Sequence, residues 1–110
     1  MESFVEIIFT HDDPTQALQM IRQFVQARLV ACGQMIPEVT SVYFWNGKLE
    51  ESRECRVTLK TRASLREKVS DEIRRAHTYD VPEIISREIL IENRDYAQWI
   101  LENTCFSSEE

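Results

Sequence analysis

Residues 39–48 read Val39-Thr40-Ser41-Val42-Tyr43-Phe44-Trp45-Asn46-Gly47-Lys48. A run of β-formers ends in Asn-Gly, the pair that best tolerates the positive φ needed at both central residues of a type I′ turn, so a hairpin reverses at Asn46-Gly47. The returning strand starts near Lys48. It continues through Glu54-Cys55-Arg56-Val57-Thr58-Leu59-Lys60-Thr61, in which Cys55, Val57, Leu59 and Thr61 alternate with Glu54, Arg56, Thr58 and Lys60, the pattern of a strand with one wetter face. The outgoing strand reaches back to Val30, with a break or bulge at Pro37, which cannot donate to a ladder. Each arm is then about ten residues or more, against the usual five to six. Tyr43 and Trp45 fall on one face of the outgoing arm, and Val42 and Phe44 on the other. Such an arm, apolar on both faces, is a liability on a monomer, so the hairpin is expected to pack against other copies of the chain.

On the N-terminal side, Phe4 to Thr10 carries apolar residues on both parities, as an interior strand does. Asp13-Pro14-Thr15-Gln16 supplies a capping carboxylate, a proline at the first helical position and a glutamine three residues after the cap. A helix follows, with Ala17, Leu18, Ile21, Phe24, Val25 and Leu29 on one face. Beyond the hairpin, Ser64-Leu65-Arg66-Glu67 reads as a capping box for a second helix that ends about His77. The loop Thr78 to Pro82 leads to a last strand, Glu83 to Ile91, and Asn93 caps a short helix that places Tyr96, Trp99 and Ile100 together. The order is β-α-β-β-α-β plus a C-terminal helix, an α+β chain with two helices on one face of an antiparallel sheet.

The 110 residues suit a single domain, 1–110, ordered from about 3 to 104 with a flexible tail at 105–110. Hydrophobic residues are 43% and charged residues 29%, enough for a core. Only two glycines, Gly33 and Gly47, are present, which excludes the glycine-rich phosphate loops. A net charge of -6 argues against nucleic acid as a partner. Three cysteines, Cys32, Cys55 and Cys105, without a C-x-x-C pair read as reduced thiols, and no apolar run reaches membrane-spanning length. A cytoplasmic protein with no membrane partner is the expectation. No nucleophile-base-acid set stands out, so an enzyme is not expected.

Among single residues, His77 ends a helix, where it can serve as a cap or a metal ligand. Cys32 is a small hydrophobe or a thiolate ligand. Lys60, Tyr79 and Glu83 form either an ion-paired contact between subunits or a cleft in which Lys60 holds a small anion and Glu83 or His77 takes a proton or cation. His11 with Asp12 and Asp13 offers an open hard-ion site, although Asp13 is engaged as a cap. Trp45 and Trp99 suit core or interface anchors.

Several blocks carry a resemblance: Ala27-Arg28-Leu29-Val30-Ala31-Cys32, Ile36-Pro37, Thr40-Ser41-Val42-Tyr43, Trp45-Asn46-Gly47-Lys48, Lys60-Thr61, His77 with Tyr79, Val81-Pro82-Glu83-Ile84, and Asp95-Tyr96-x-x-Trp99. In this order they resemble the CutA family of divalent-cation tolerance proteins over roughly residues 4–103. The resemblance implies a ferredoxin-like subunit in a homotrimer, linked to tolerance of copper and other divalent metal ions, with no defined catalytic activity. It therefore implies no required cofactor, with Cu2+ or another divalent cation bound weakly. A copper site of one branch, a first-strand cysteine with two adjacent histidines, lacks two of its ligands here, because Phe9 and Ala76 stand in their places. The trimer also resembles that of the nitrogen-regulatory PII signalling proteins, which makes a small anionic metabolite in an intersubunit cleft the alternative. The residues assigned are His77, Cys32 and Glu83 to a metal, Lys60, Tyr79 and Trp45 to the cleft, and Tyr43, Phe44 and Trp99 to the trimer interface.

Overall fold

The computed structural model describes residues 2–105. Its elements follow the chain as β1 (Phe4–His11), α1 (Pro14–Gln26), β2 (Cys32–Trp45), β3 (Lys48–Arg62), α2 (Arg66–Ala76), β4 (Ile84–Ile89) and α3 (Arg94–Glu102). The four strands form one antiparallel sheet in the order β2-β3-β1-β4, the topology of a split βαβ unit.

Local chemistry explains most boundaries. The Asp13 carboxylate accepts from the backbone N–H of Thr15 and Gln16, at 3.0 and 3.2 Å, and starts α1. The helix ends with Arg28 at φ 64°, while the Arg28 and Leu29 N–H groups donate to the Val25 and Phe24 carbonyls. That is a Schellman closure in which arginine takes the position glycine usually fills. Asn46 and Gly47, at φ 53° and 78°, turn the hairpin, and the β2–β3 register shifts between Ile36 and Val39, the bulge expected at Pro37. Asn93 caps α3 through the N–H groups of Asp95 and Tyr96.

Four boundaries differ from expectation. The Ser64 capping box does not form: a single 3-10 turn, Ala63–Leu65, precedes α2, and both the Ser64 N–H and hydroxyl contact the Glu2 carboxylate. A non-local acceptor has taken the Ser64 N–H that Glu67 would have served in the box, and has turned the hydroxyl, which would have been the cap's acceptor, into a donor. The outgoing strand begins at Cys32, because the α1 closure holds the chain through Leu29. The last strand is Ile84–Ile89, as long as its pairing with Phe4 to Phe9 of β1. Cys105, expected in the flexible tail, has its N–H on the Arg28 carbonyl at 2.8 Å; residues 106–110 lie outside the described residues.

The main core lies between the sheet and α1 with α2, where Ile7, Phe9, Val57 and Leu59 meet Ile21, Phe24, Val69 and Ile73. The opposite parity of β1 and β3 faces α3. Arg62 donates to the carbonyls of Leu101 and Thr104 at 2.6 and 3.1 Å and to the Thr104 hydroxyl at 2.8 Å. The Tyr96 phenol meets the Cys32 thiol, and Ile8 and Ile100 are buried outside the main core. The sheet is thus covered on both sides near its centre, while the distal hairpin is covered on neither. Phe44 is 72% exposed and Leu49 67% on one of its faces, and Trp45 is 49% exposed on the other.

Candidate functional site

The end of β1, the C-terminus of α2 and the loop at residues 77–83 meet beside the hairpin. His77 follows α2, and its ring is buried against the end of β1. Its Nε2 donates to the Thr10 carbonyl at 2.6 Å, and its Nδ1 accepts from the Tyr79 backbone N–H at 3.1 Å. One neutral tautomer satisfies both bonds, so neither nitrogen is open to a metal.

His11, fully buried, stacks on His77 with ring centroids 4.3 Å apart and planes at 22°. Its Nδ1 accepts from the Asp13 N–H at 3.0 Å, which leaves the proton on Nε2, and that atom has no partner among the described residues. Burial pushes the His11 pKa below its ordinary value, and the adjacent His77 adds to the shift; Asp12, 3.3 Å from Nδ1, opposes it. The open hard-ion site considered for His11, Asp12 and Asp13 is not formed, since His11 is inside the fold and Asp13 caps α1.

Tyr79 extends the cluster toward the hairpin. Its hydroxyl donates to Glu54 Oε2 at 2.7 Å, and the Ser41 hydroxyl donates to Glu54 Oε1 at 2.6 Å. Burial first, and the Glu54 carboxylate second, hold the Tyr79 phenol far above its usual range, so it remains a donor. Beyond it a cavity of about 750 Å3 opens between the hairpin and the loop, with Tyr43, Trp45, Glu50, Asp80 and Glu83 in its lining.

The residues assigned from sequence separate into three places. His77 is a structural cap and stacking partner. Cys32 pairs with Lys60, whereas Thr10, which anchors His77, pairs with Arg56, four positions or roughly 13 Å along β3. Glu83 is in the cavity lining. No group of three or more His, Cys, Asp and Glu side chains able to hold a metal exists among the described residues. Of the cleft residues, Tyr79 and Trp45 meet at the cavity, whereas the Lys60 ammonium donates to Gln34 Oε1 at 2.7 Å and does not line it. Tyr43 and Phe44 are exposed on opposite faces of the arm, and Trp99 is exposed on α3, stacked on Tyr96 with centroids 5.5 Å apart. Sequence reasoning missed Glu50, Glu54 and Asp80. Glu50 lies opposite Tyr43, and that cross-strand pairing about the Asn46-Gly47 turn was the available signal.

Comparison with known proteins places this arrangement. The family model described as CutA1 divalent ion tolerance protein matches residues 5–103. The chain belongs to the CutA1 family. Human Protein CutA is 39% identical over 88 residues, covering 80% of this chain and 49% of its own length. The divalent-cation tolerance protein CutA of Pyrococcus horikoshii is 37% identical over 95 residues, covering 86% of this chain and 92% of that protein. This chain therefore spans about half of the human relative but nearly all of the archaeal one. Among solved structures, CutA1 of Oryza sativa superposes with a TM-score of 0.92 at 28% identity, covering 96% of each chain. The split βαβ sheet, the long hairpin and the terminal helix are thus the CutA1 fold in this chain.

Proposed function

We propose that this chain is a non-enzymatic divalent-cation tolerance protein of the CutA type, acting in the cytoplasm as a homotrimer and binding copper or other divalent cations weakly. The observation that carries the reading is the match to the CutA1 divalent ion tolerance family over residues 5–103; the cavity beside Tyr79, lined by Glu50, Asp80 and Glu83 and by no lysine, arginine or histidine, adds carboxylates that attract cations loosely without forming a metal-ligating group. Carboxylate oxygens without a nitrogen or sulfur donor give weak, poorly selective binding. The net charge of -6 per chain adds a general attraction for cations. No observation favours a small anion, since the cavity is acidic and Lys60 is turned to Gln34.

Calorimetric titration with Cu2+, Zn2+ and Mg2+ tests the reading on the wild type, on His77→Ala and on the double variant Glu50→Gln/Glu83→Gln. Cu2+ should bind more tightly than Zn2+. His77→Ala should keep its metal heat and the double variant should lose most of it. Wild-type heat in the double variant would remove the cavity from the mechanism.

A further inference from the structure

Two histidines stack in the interior at the end of β1, and only one of them has a carboxylate beside an unprotonated ring nitrogen. Asp12 Oδ1 lies 3.3 Å from His11 Nδ1, whereas His77 forms no ion pair among the described residues. The other groups around His11 leave it the place where a further proton enters. Cys55, its partner on β3, donates its thiol to the His11 carbonyl at 3.3 Å, and burial pushes that thiol's pKa up, so it stays neutral. Tyr79, from the loop at residues 77–83, has its ring 5.9 Å from His11 and is held neutral by burial and by Glu54. Glu54 reaches the cluster only through the Tyr79 hydroxyl, and the Asp13 carboxylate is turned to the first N–H groups of α1.

A proton added at His11 Nδ1 does not fit the present geometry. The Asp13 N–H donates to that nitrogen at 3.0 Å, so the new N–H would face it donor to donor. The opposite N–H, on Nε2, already has no acceptor among the described residues. A fully buried imidazolium is then left with Asp12 as its acceptor, and the Asp12 side chain is 64% exposed. The charge therefore draws the ring outward, toward Asp12 and water, and off the face of His77. His77 holds Tyr79 through Nδ1 and through ring contact at 4.5 Å, and Tyr79 in turn holds the hairpin through Glu54. We propose that the His11–His77 stack is a proton-operated latch: one proton taken from solvent at His11 Nδ1 unseats the stack and frees the loop at residues 77–83 from the hairpin. That loop supplies Asp80 and Glu83 to the cavity wall, so the latch governs the wall whether or not a metal ion binds there.

Heteronuclear NMR of the histidine rings and amide hydrogen exchange, both followed from pH 7.5 to 5 on the intact protein in EDTA, test the latch. His11 should gain a proton at Nδ1 before His77 does. Across that step the Tyr79 N–H, corrected for its intrinsic exchange rate, should lose about tenfold or more of its protection, while Ile7 in the middle of β1 keeps its own. Asp12→Asn removes an exposed carboxylate that favours the charged ring, so the His11 titration should move to lower pH and the Tyr79 release should move with it. In His11→Asn the Tyr79 protection should be flat with pH; should that variant not fold, Asp12→Asn carries the test. Release that stays at the wild-type pH in either variant would overturn the inference. So would a His11 ring still neutral at pH 5, a His77 proton that arrives first, a Tyr79 amide indifferent to the His11 titration, or an equal loss of protection at Ile7. None of these outcomes depends on metal binding, so the proposed function stands or falls separately.

Discussion

At the scale of single residues, the two histidines differ in what their nitrogens do. His77 has both ring nitrogens bonded within the fold, whereas His11 keeps a buried N–H that has no partner among the described residues, a state that costs about 1–3 kcal/mol where it is tolerated. The ring is fully buried and stacks on His77. A consequence for pH follows. His11 has its folded pKa lowered from 6.5, so below about that pH the unfolded chain binds the proton more readily than the native one. The contribution of His11 to stability is complete above 6.5 and is lost as pH falls toward the lower folded value. In His11→Asn the amide oxygen can accept from the Asp13 N–H as Nδ1 does, but nothing titrates. Denaturant melts between pH 7.5 and 5 should show the variant destabilised by about 1–3 kcal/mol at the upper end and with a flatter decline on acidification. An identical slope in both proteins would show that His11 is not a source of the pH dependence.

At the scale of elements, the two glycines separate packing from backbone geometry. At Gly33 of β2, an added Cβ would lie 2.5 Å from Ile21 Cγ2 and 3.1 Å from Leu59 Cδ2, in the seam between α1 and the sheet. Gly47 has nothing within 4 Å of that position, but its φ is +78°. Gly33→Ala should cost about 1–3 kcal/mol through overpacking, and Gly47→Ala about 1–2 kcal/mol through left-handed strain alone. High-resolution structures separate the causes: α1 should shift in the first variant, and only the turn in the second. Elements whose signals are local were legible in the sequence. Asp13, Asn93, Pro37 and Asn46-Gly47 each act on backbone within a few residues, and each does what its chemistry predicts. Ser64 departs from its local signal because its acceptor, Glu2, is 62 residues away. The candidate site was less legible for the same reason. His77 is recognisable at its helix end, but its bond to Thr10 spans 67 residues and its stacking on His11 depends on where β1 ends.

At the scale of the whole molecule, the distal hairpin is the region that a single copy leaves uncovered. Val42, Phe44 and Leu49 on one side and Tyr43 and Trp45 on the other remain at least 41% exposed, although they lie in regular, fully paired strands. Fully burying a side chain such as Phe44 is worth about 1.5–3 kcal/mol, so covering these residues on neighbouring copies would supply a strong drive to assemble. A charge of -6 on each chain opposes that association, and cations gathered near Glu50, Asp80 and Glu83 would relieve the repulsion. For the proposed homotrimer, sedimentation should give an assembly of three times 13.0 kDa. Its melting temperature should rise with protein concentration, because association stabilises the native state by mass action. Phe44→Glu places a charge on the 72% exposed tip without touching the core, so it should lower the assembly mass while leaving far-ultraviolet circular dichroism unchanged. A wild-type mass in Phe44→Glu would place that face of the hairpin outside the contact, and a monomeric wild type would mean that the two-sided apolar arm serves something other than self-association.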